Sequence, residues 1–383
     1  MRKKILIIVL SNIRHDARVR RQVLALSAEH EVTVACLNAD SSDKYEIIIL
    51  PPLLFPLWKK GVTSLLLLLR FNAWAHKTLY GYQSFLRQRL GNRHFDLIIA
   101  NDVETLPLAF GFPNTKVLFD AHEYAPRHFE DKLVWRIFFQ HFNTWLCRKY
   151  IPLTAGMITV GKGLAMEYEK YFHVKPVVVT NANNYFELEP SPVSPDKIRL
   201  IHHGIINASR RLDLMIDLME LLDERFSLDL ILLEPDNLSK KTKAYIAEFK
   251  SRVSKTPRIK LLPAVKSAEI VKIINGYDMG VFLLPPVNFN YKNTLPNKFF
   301  DFIQGRLGIA IGPTPEMAEI VQRYNNGLVS EEFTPQSLAS KLNNVTGGDI
   351  EQFKRNSALA ARDLNAEHNA NILKEYINKI LWD

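Results

Sequence analysis

The sequence predicts an α/β protein made of two doubly wound, parallel-sheet domains. Three observations carry that expectation. Short apolar runs of strand length alternate with segments of helical periodicity, which implies βα units and parallel sheets. A proline-rich stretch, FELEPSPVSPDK at residues 186–197, divides the series into two halves. The length of 383 residues is more than one ordinary core serves.

The first half opens on KILIIVL (residues 4–10), a continuous apolar run that reads as a strand buried on both faces. Its basic start mimics a secretory leader. The run is too short for one, and charged residues follow at once. Residues 17–29 read as a helix with Val19, Val23, Leu24 and Leu26 on one face. EVTVACL (31–37) and YEIIIL (45–50) are the next strands. Residues 51–75 are strongly apolar, but Lys59, Lys60 and Arg70 interrupt them. The uninterrupted part falls short of the ~20 residues that span a bilayer. FDLIIAND (95–102), TKVLFDAHE (115–123), AGMITV (155–160) and KPVVVT (175–180) complete the strands of this half.

The second half repeats the alternation. Strands are expected at 197–204, 228–234, 258–264, 279–285, 308–312 and 327–330. Helices are expected at 212–224, 240–253, 267–275, 297–304 and 315–324, with a mostly polar helical tail from about 349 to 382.

Composition narrows the class. The chain is 47% hydrophobic and 23% charged, which excludes a disordered or collagen-like protein. Its two cysteines, Cys36 and Cys147, suit a reducing, cytoplasmic compartment and cannot build a disulfide scaffold. Residues 1–190 carry 24 basic and 17 acidic side chains, so most of the net charge of +9 lies in the first half. A basic half attracts phosphorylated substrates or anionic lipid. The basic residues are not interleaved with aromatics in a nucleic-acid module, so no nucleic-acid partner is expected.

Ligands of open parallel sheets bind beyond the carboxyl ends of the strands, so the residues after each strand are the candidates. After the first strand come His15, Asp16 and Arg18, where Asp16 suits a helix cap and the group suits an acceptor contact. Asn101, Asp102 and Glu104 follow another strand. Asp120, His122 and Glu123 follow the next, where a carboxylate can orient the imidazole, and Asp102 and Glu123 are expected to join the acceptor contact. In the second half Gly204 permits a close backbone approach. Arg210 and Arg211 are expected at the start of the following helix, as an anion site. The densest group is Asn293, Thr294, Leu295, Pro296, Asn297, Lys298 and Asp301. Its backbone N–H groups and Lys298 can cradle a phosphate, and Asp301 can bind a ribose diol. No GxGxxG, Walker or HExxH pattern is present, and no metal-ligating cluster is expected.

These residues, with PNKFFDFIQGRLGIAIG, PEMAEIV and NNGLV, resemble glycosyltransferase family 4 over nearly the whole chain. DARVRRQVLALSAEHEVTVA and FDAHEY are similar to the same group. The resemblance implies the GT-B fold, two Rossmann-like domains facing across a cleft, and a retaining transferase that uses a nucleotide-diphosphate sugar without a metal. It implies an acceptor domain over residues 1–188, a donor domain over 195–365, and a last helix of about 366–383 that packs back on the first domain. Arg210 stands where the family has a diphosphate-binding lysine, and Ile205 where many members have a second arginine. Asp301 stands at the second glutamate of the family's paired motif and Asn293 at the first. Lys298 matches a Pro-x-Lys variant of the branch that builds bacterial surface polysaccharides. His122 matches the histidine that contacts the donor sugar, and Glu319 resembles a further donor contact. The catalytic set so implied is His122, Asn293, Arg210 and Lys298. The implied acceptor is a glycan or a lipid-pyrophosphate-linked sugar, met at the inner face of the membrane. There Leu66, Leu67 and Trp74 would contact anionic lipid. A nucleotide-sugar 2-epimerase on the same scaffold, or a catalytically degenerate partner subunit, are the readings from other classes.

Overall fold

The computed structural model describes residues 2–235 and 239–382. The chain divides into two compact units. Unit 1 holds Met1–Thr180, Asn288–Asn290 and Asn369–Asp383, and unit 2 holds Asn181–Val287 and Tyr291–His368.

Unit 1 contains a seven-stranded parallel sheet. Its strands are β1 (Lys4–Ile8), β2 (Glu31–Cys36), β3 (Glu46–Ile49), β4 (Leu97–Asn101), β5 (Lys116–Ala121), β6 (Gly156–Thr159) and β7 (Val177–Val178). The order is β3-β2-β1-β4-β5-β6-β7, with Ile5 paired to both Val32 and Leu97. The chain therefore reverses direction across the sheet between β1 and β4, the switch point where an open sheet leaves room for a ligand. The apolar runs predict these strands because a strand covered on both faces has no polar side to alternate with. One face carries Leu6, Ile8, Ile98 and Phe119. The other carries Ile5, Ile7, Ile99 and Leu118, packed with Leu373, Ile377 and Ile380 of the helix Ala366–Trp382.

Unit 2 repeats the plan with β8 (Ile198–Ile205), β9 (Phe226–Leu233), β10 (Ile259–Leu262), β11 (Met279–Phe282), β12 (Gly308–Ile311) and β13 (Gly327–Val329). The order is β10-β9-β8-β11-β12-β13, again all parallel. The helices Asn297–Gln304 and Pro315–Tyr324 have the bounds that the periodicity predicts.

Three features differ from the sequence reading. The helical tail is two helices, Gly347–Asp363 and Ala366–Trp382, and a capping box between Thr346 and Asp349 starts the first. Arg210 closes a short 3-10 turn, Ala208–Arg210, and the following helix starts only at Asp213. The expected helix-end anion site is therefore absent there: Arg211 adopts φ +49°, and the acidic Asp213 takes the first helical turn. Third, the apolar stretch forms the helices Leu57–Leu68 and Asn72–Leu79. Leu67 is 2% exposed and Leu66 packs against the core, so neither is available to lipid, while Leu65 and Leu68 are more than half exposed. Five consecutive leucines conceal which side of a helix faces inward, because every phase fits them equally well. Among the described residues no helix is long and apolar enough to cross a membrane.

Candidate functional site

In unit 2 the polar groups converge where β8 ends. Gly204 has φ +131°, a region that L side chains rarely adopt. A Cβ at this position would lie 3.0 Å from Lys298 Nζ and 3.8 Å from a terminal nitrogen of Arg210. The glycine is thus the floor on which both cations meet. Gly204→Ala is expected to cost about 1–3 kcal/mol of unfolding free energy in denaturant titration, from the strained φ and the clash with Lys298.

Lys298 is held by the first turn of the helix Asn297–Gln304, in which residues 298–304 are all buried. Only 5% of Lys298 is exposed. Its Nζ donates to His202 Nε2 at 2.9 Å and lies 4.3 Å from the centre of the Phe282 ring. His202 in turn donates from Nδ1 to the Val281 carbonyl at 2.8 Å, which fixes the tautomer that can accept from lysine. Burial, and then Lys298, holds His202 well below the usual histidine range. Burial, and then Arg210, holds Lys298 well below the usual lysine range, with Asp301 opposing. An anion placed against Lys298 and Arg210 would reverse that shift, which is what a phosphate-binding pair requires.

Asp301 accepts from Asn183 Nδ2 at 3.0 Å and lies 3.6 Å from His203 Nε2. Burial and Lys298 push His203 down to about 3, so its ring is neutral. Asn293 is buried and Thr294 half-buried just before the helix. Leu295 is 5% exposed with its side chain in the core, so only its backbone can face a ligand. Arg211 stands apart from Arg210. Its guanidinium grips Asp213 at 2.9 Å in a separate pocket of about 330 Å³ with Tyr245 and Arg252. Glu319 is exposed on the helix Pro315–Tyr324, whereas Glu316 on its first turn is buried.

Unit 1 gathers a second group at the switch point. Asp120, fully buried at the end of β5, accepts a forked pair of bonds from Arg18, the shortest 2.7 Å, and a third from Gln22 at 2.9 Å. Arg18 also donates to the Val179 carbonyl at 2.6 Å. The guanidinium expected to meet an acceptor is thus directed into the protein. Asp16 caps the helix Ala17–Ser27 through Val19 N and also accepts from Ser11, which makes it a structural residue. His15 is exposed in the preceding turn.

His122 lies among carboxylates: Nδ1 is 3.4 Å from Asp102, and Nε2 is 3.7 Å from Asp120 and 3.2 Å from Asn101 Oδ1. Burial works to lower its pKa, but Asp102 and Asp120 outweigh it and raise it to about 9. Burial works to raise Asp120, but Arg18 and His122 pull it down to about 2. His122 is therefore an imidazolium at neutral pH, suited to donating hydrogen bonds to oxygen and unsuited to taking a proton. Asp102 has φ +64°, a strained conformation of the kind that gathers at functional sites. Glu123 is turned to His128, whose Nε2 lies 2.7 Å away.

The sequence reading missed His202, His203, Asn183 and His128. The doublet before Gly204 was the available signal, since a fully buried strand rarely carries two histidines at its carboxyl end.

No known family's sequence profile matches the chain, and no curated protein matches it. Solved structures do. A sucrose-phosphate synthase from Thermosynechococcus elongatus superposes with a TM-score of 0.75 at 11% identity, covering 99% of both chains. An α,α-trehalose-phosphate synthase (UDP-forming) from Burkholderia vietnamiensis gives 0.69 at 10% identity, covering 98% of this chain and 100% of that one. Anabaena Alr3699/HepE, in complex with UDP and glucose, gives 0.65 at 13%, covering 98% and 99%. At these identities the likeness concerns the fold, and that fold is GT-B with two Rossmann-like, doubly wound units.

Proposed function

We propose that the protein is a retaining glycosyltransferase that moves a sugar from a nucleotide-diphosphate sugar to a glycan or lipid-pyrophosphate-linked acceptor, in bacterial cell-surface polysaccharide synthesis. The observation that carries this reading is the convergence of Lys298 and Arg210 over Gly204 at the end of β8, on a GT-B fold. The solved structures of the same fold include synthases and a complex with UDP and glucose, which supports a nucleotide-sugar donor. Retention and the bacterial surface role rest on the resemblance of the PNKFFDFIQG region to family 4.

In this reading Lys298 and Arg210 meet the donor diphosphate without a metal, and Asp301 is close enough to take part in holding the ribose. Thr294, Asn293 and Glu319 complete the donor side, and the His122 imidazolium is suited to donating to a sugar hydroxyl. The bond from the anomeric carbon to the diphosphate breaks. The acceptor oxygen bonds to that carbon on the same face, and the acceptor proton passes to the leaving phosphate. The rate derives chiefly from cationic groups that stabilise the departing charge. The half-exposed apolar helix Leu57–Leu68 supports contact with a membrane that carries the acceptor.

Thermal unfolding against UDP, GDP, ADP, CMP and dTDP tests the donor assignment. One diphosphate is expected to stabilise selectively, by about 2.7 kcal/mol at roughly a hundredfold excess over Kd. The shift is expected to shrink in Arg210→Ala. A flat response to every nucleotide would overturn the assignment.

A further inference from the structure

On unit 1 the helix Leu57–Leu68 packs against the segment Arg136–Gln140, and exposed apolar side chains lie on these elements and on the chain next to them. Leu65, Leu68, Phe71, Trp74, Leu133 and Val134 are each exposed by more than half. A contiguous apolar patch on a folded surface marks an interaction site. Beside it opens a cavity of about 680 Å³, lined by Arg70, Arg136, His141, Trp145, Arg148 and Lys149 among others. Four cations line it and no carboxylate does. Among the described residues none of the four has an ion pair. His141, on the same wall, has a buried Nε2 without a hydrogen-bond partner.

The two features are continuous along the chain. Arg70 lies between the exposed Leu69 and Phe71, and Arg136 lies between Val134 and Ile137, also exposed. Arg70 further holds φ +60° just past a helix end, where glycine is the usual occupant. Arginine forks match phosphate oxygens, and an apolar face with cations at its margin is complementary to the anionic surface of a bilayer.

We propose that this cavity takes the phosphate headgroup of an anionic phospholipid while the neighbouring apolar side chains enter the acyl boundary. Unit 1 is thereby docked on an anionic membrane by a defined headgroup site. The proposal deepens the membrane contact named in the functional reading, and its test needs no transfer assay.

The full chain is sedimented with vesicles of one part phosphatidylglycerol to two parts phosphatidylcholine, and with vesicles of phosphatidylcholine alone. It is expected to pellet with the first and far less with the second, and raised salt should weaken the binding. The combined variant Arg136→Gln, Arg148→Gln, Lys149→Gln is expected to bind mixed vesicles on the order of a hundredfold more weakly. The variant Leu65→Ser, Leu68→Ser, Trp74→Ser should lose binding as well. Thermal melts establish that both variants are folded, and binding of the diphosphate found by the nucleotide panel is measured in parallel. Vesicle binding lost with nucleotide binding intact ties the loss to this site. Equal pelleting with neutral vesicles, no pelleting at all, or an unchanged glutamine variant would each overturn the proposal. So would tight binding of free glycerol phosphate without vesicles, which would mark a soluble ligand's site. A dimer that the serine variant dissociates would assign the face to a second copy and also overturn it. Failure of every nucleotide of the panel to bind, with vesicle binding retained, would defeat the transferase reading alone.

Discussion

Lys298→Met is expected to weaken nucleoside-diphosphate binding on the order of a hundredfold while leaving the protein about as stable as before. The two halves of this expectation have one origin. Lys298 is desolvated, and Arg210 is its near cationic neighbour. Taking the amine away removes a buried polar group that Arg210 crowds, which favours the folded state. It also strips His202 Nε2 of its donor, and a buried acceptor without a partner costs about 1–3 kcal/mol. The terms oppose, so the net change should stay within about 1 kcal/mol. Calorimetric titration with the diphosphate found by the nucleotide panel measures the first quantity, and denaturant unfolding without nucleotide measures the second. Binding that survives the substitution would remove Lys298 from the donor site. A collapse in stability would mean that the lysine is chiefly structural.

Asp120→Asn should produce the largest loss of stability, about 3–5 kcal/mol. Asp120 has no exposed side-chain surface and Arg18 very little, so the amide leaves a guanidinium buried without its counter-charge. The substitution also acts on His122, which Asp102 and Asp120 together raise to about 9 against the burial that lowers it. A folded-state value above the unfolded 6.5 contributes stability that is complete below about pH 6.5 and is lost as pH rises through about 9. Asp120 has the opposite sign. Its folded value of about 2 contributes stability above about pH 4 that is lost as pH falls toward 2. The wild type is therefore expected to lose stability between about pH 7 and 9 more steeply than Asp120→Asn, and NMR titration of His122 should show its pKa falling in the variant. An unchanged His122 titration would place the source of the shift on Asp102 alone.

Most strands were legible because burial on both faces writes them as unbroken apolar runs. Val177–Val178 is the exception, a half-buried edge strand of two paired residues within the six-residue segment 175–180. Gly204, Arg210 and Lys298 could be named because Gly204 lies at the end of an apolar strand, Arg210 follows that strand, and Lys298 opens a helix that follows another. Their convergence could not, since Lys298 lies 94 positions beyond Gly204 and no local signal couples them. The roles of Asp16 and Arg18 were ambiguous for a physical reason. A carboxylate before a helix and an arginine within it serve a cap or a ligand equally well until their partners are known. Arg18 finds its partner 102 positions away. His202 was hidden because a histidine in an apolar strand reveals nothing of its second nitrogen.

The last helix has a consequence for synthesis. Leu373, Ile377 and Ile380 belong to the core of unit 1, whose main segment ends at Thr180. About 190 residues separate the two pieces, so at roughly 5–20 residues per second the ribosome delivers the second roughly 10–40 seconds after the first. During that interval one apolar side of the nascent sheet has Val19, Val23 and Leu26 of the helix Ala17–Ser27 over it but lacks the rest of its cover. Unit 1 therefore has to wait for the whole of unit 2 to be translated, and that period is when the growing chain is most exposed to aggregation and most dependent on chaperones.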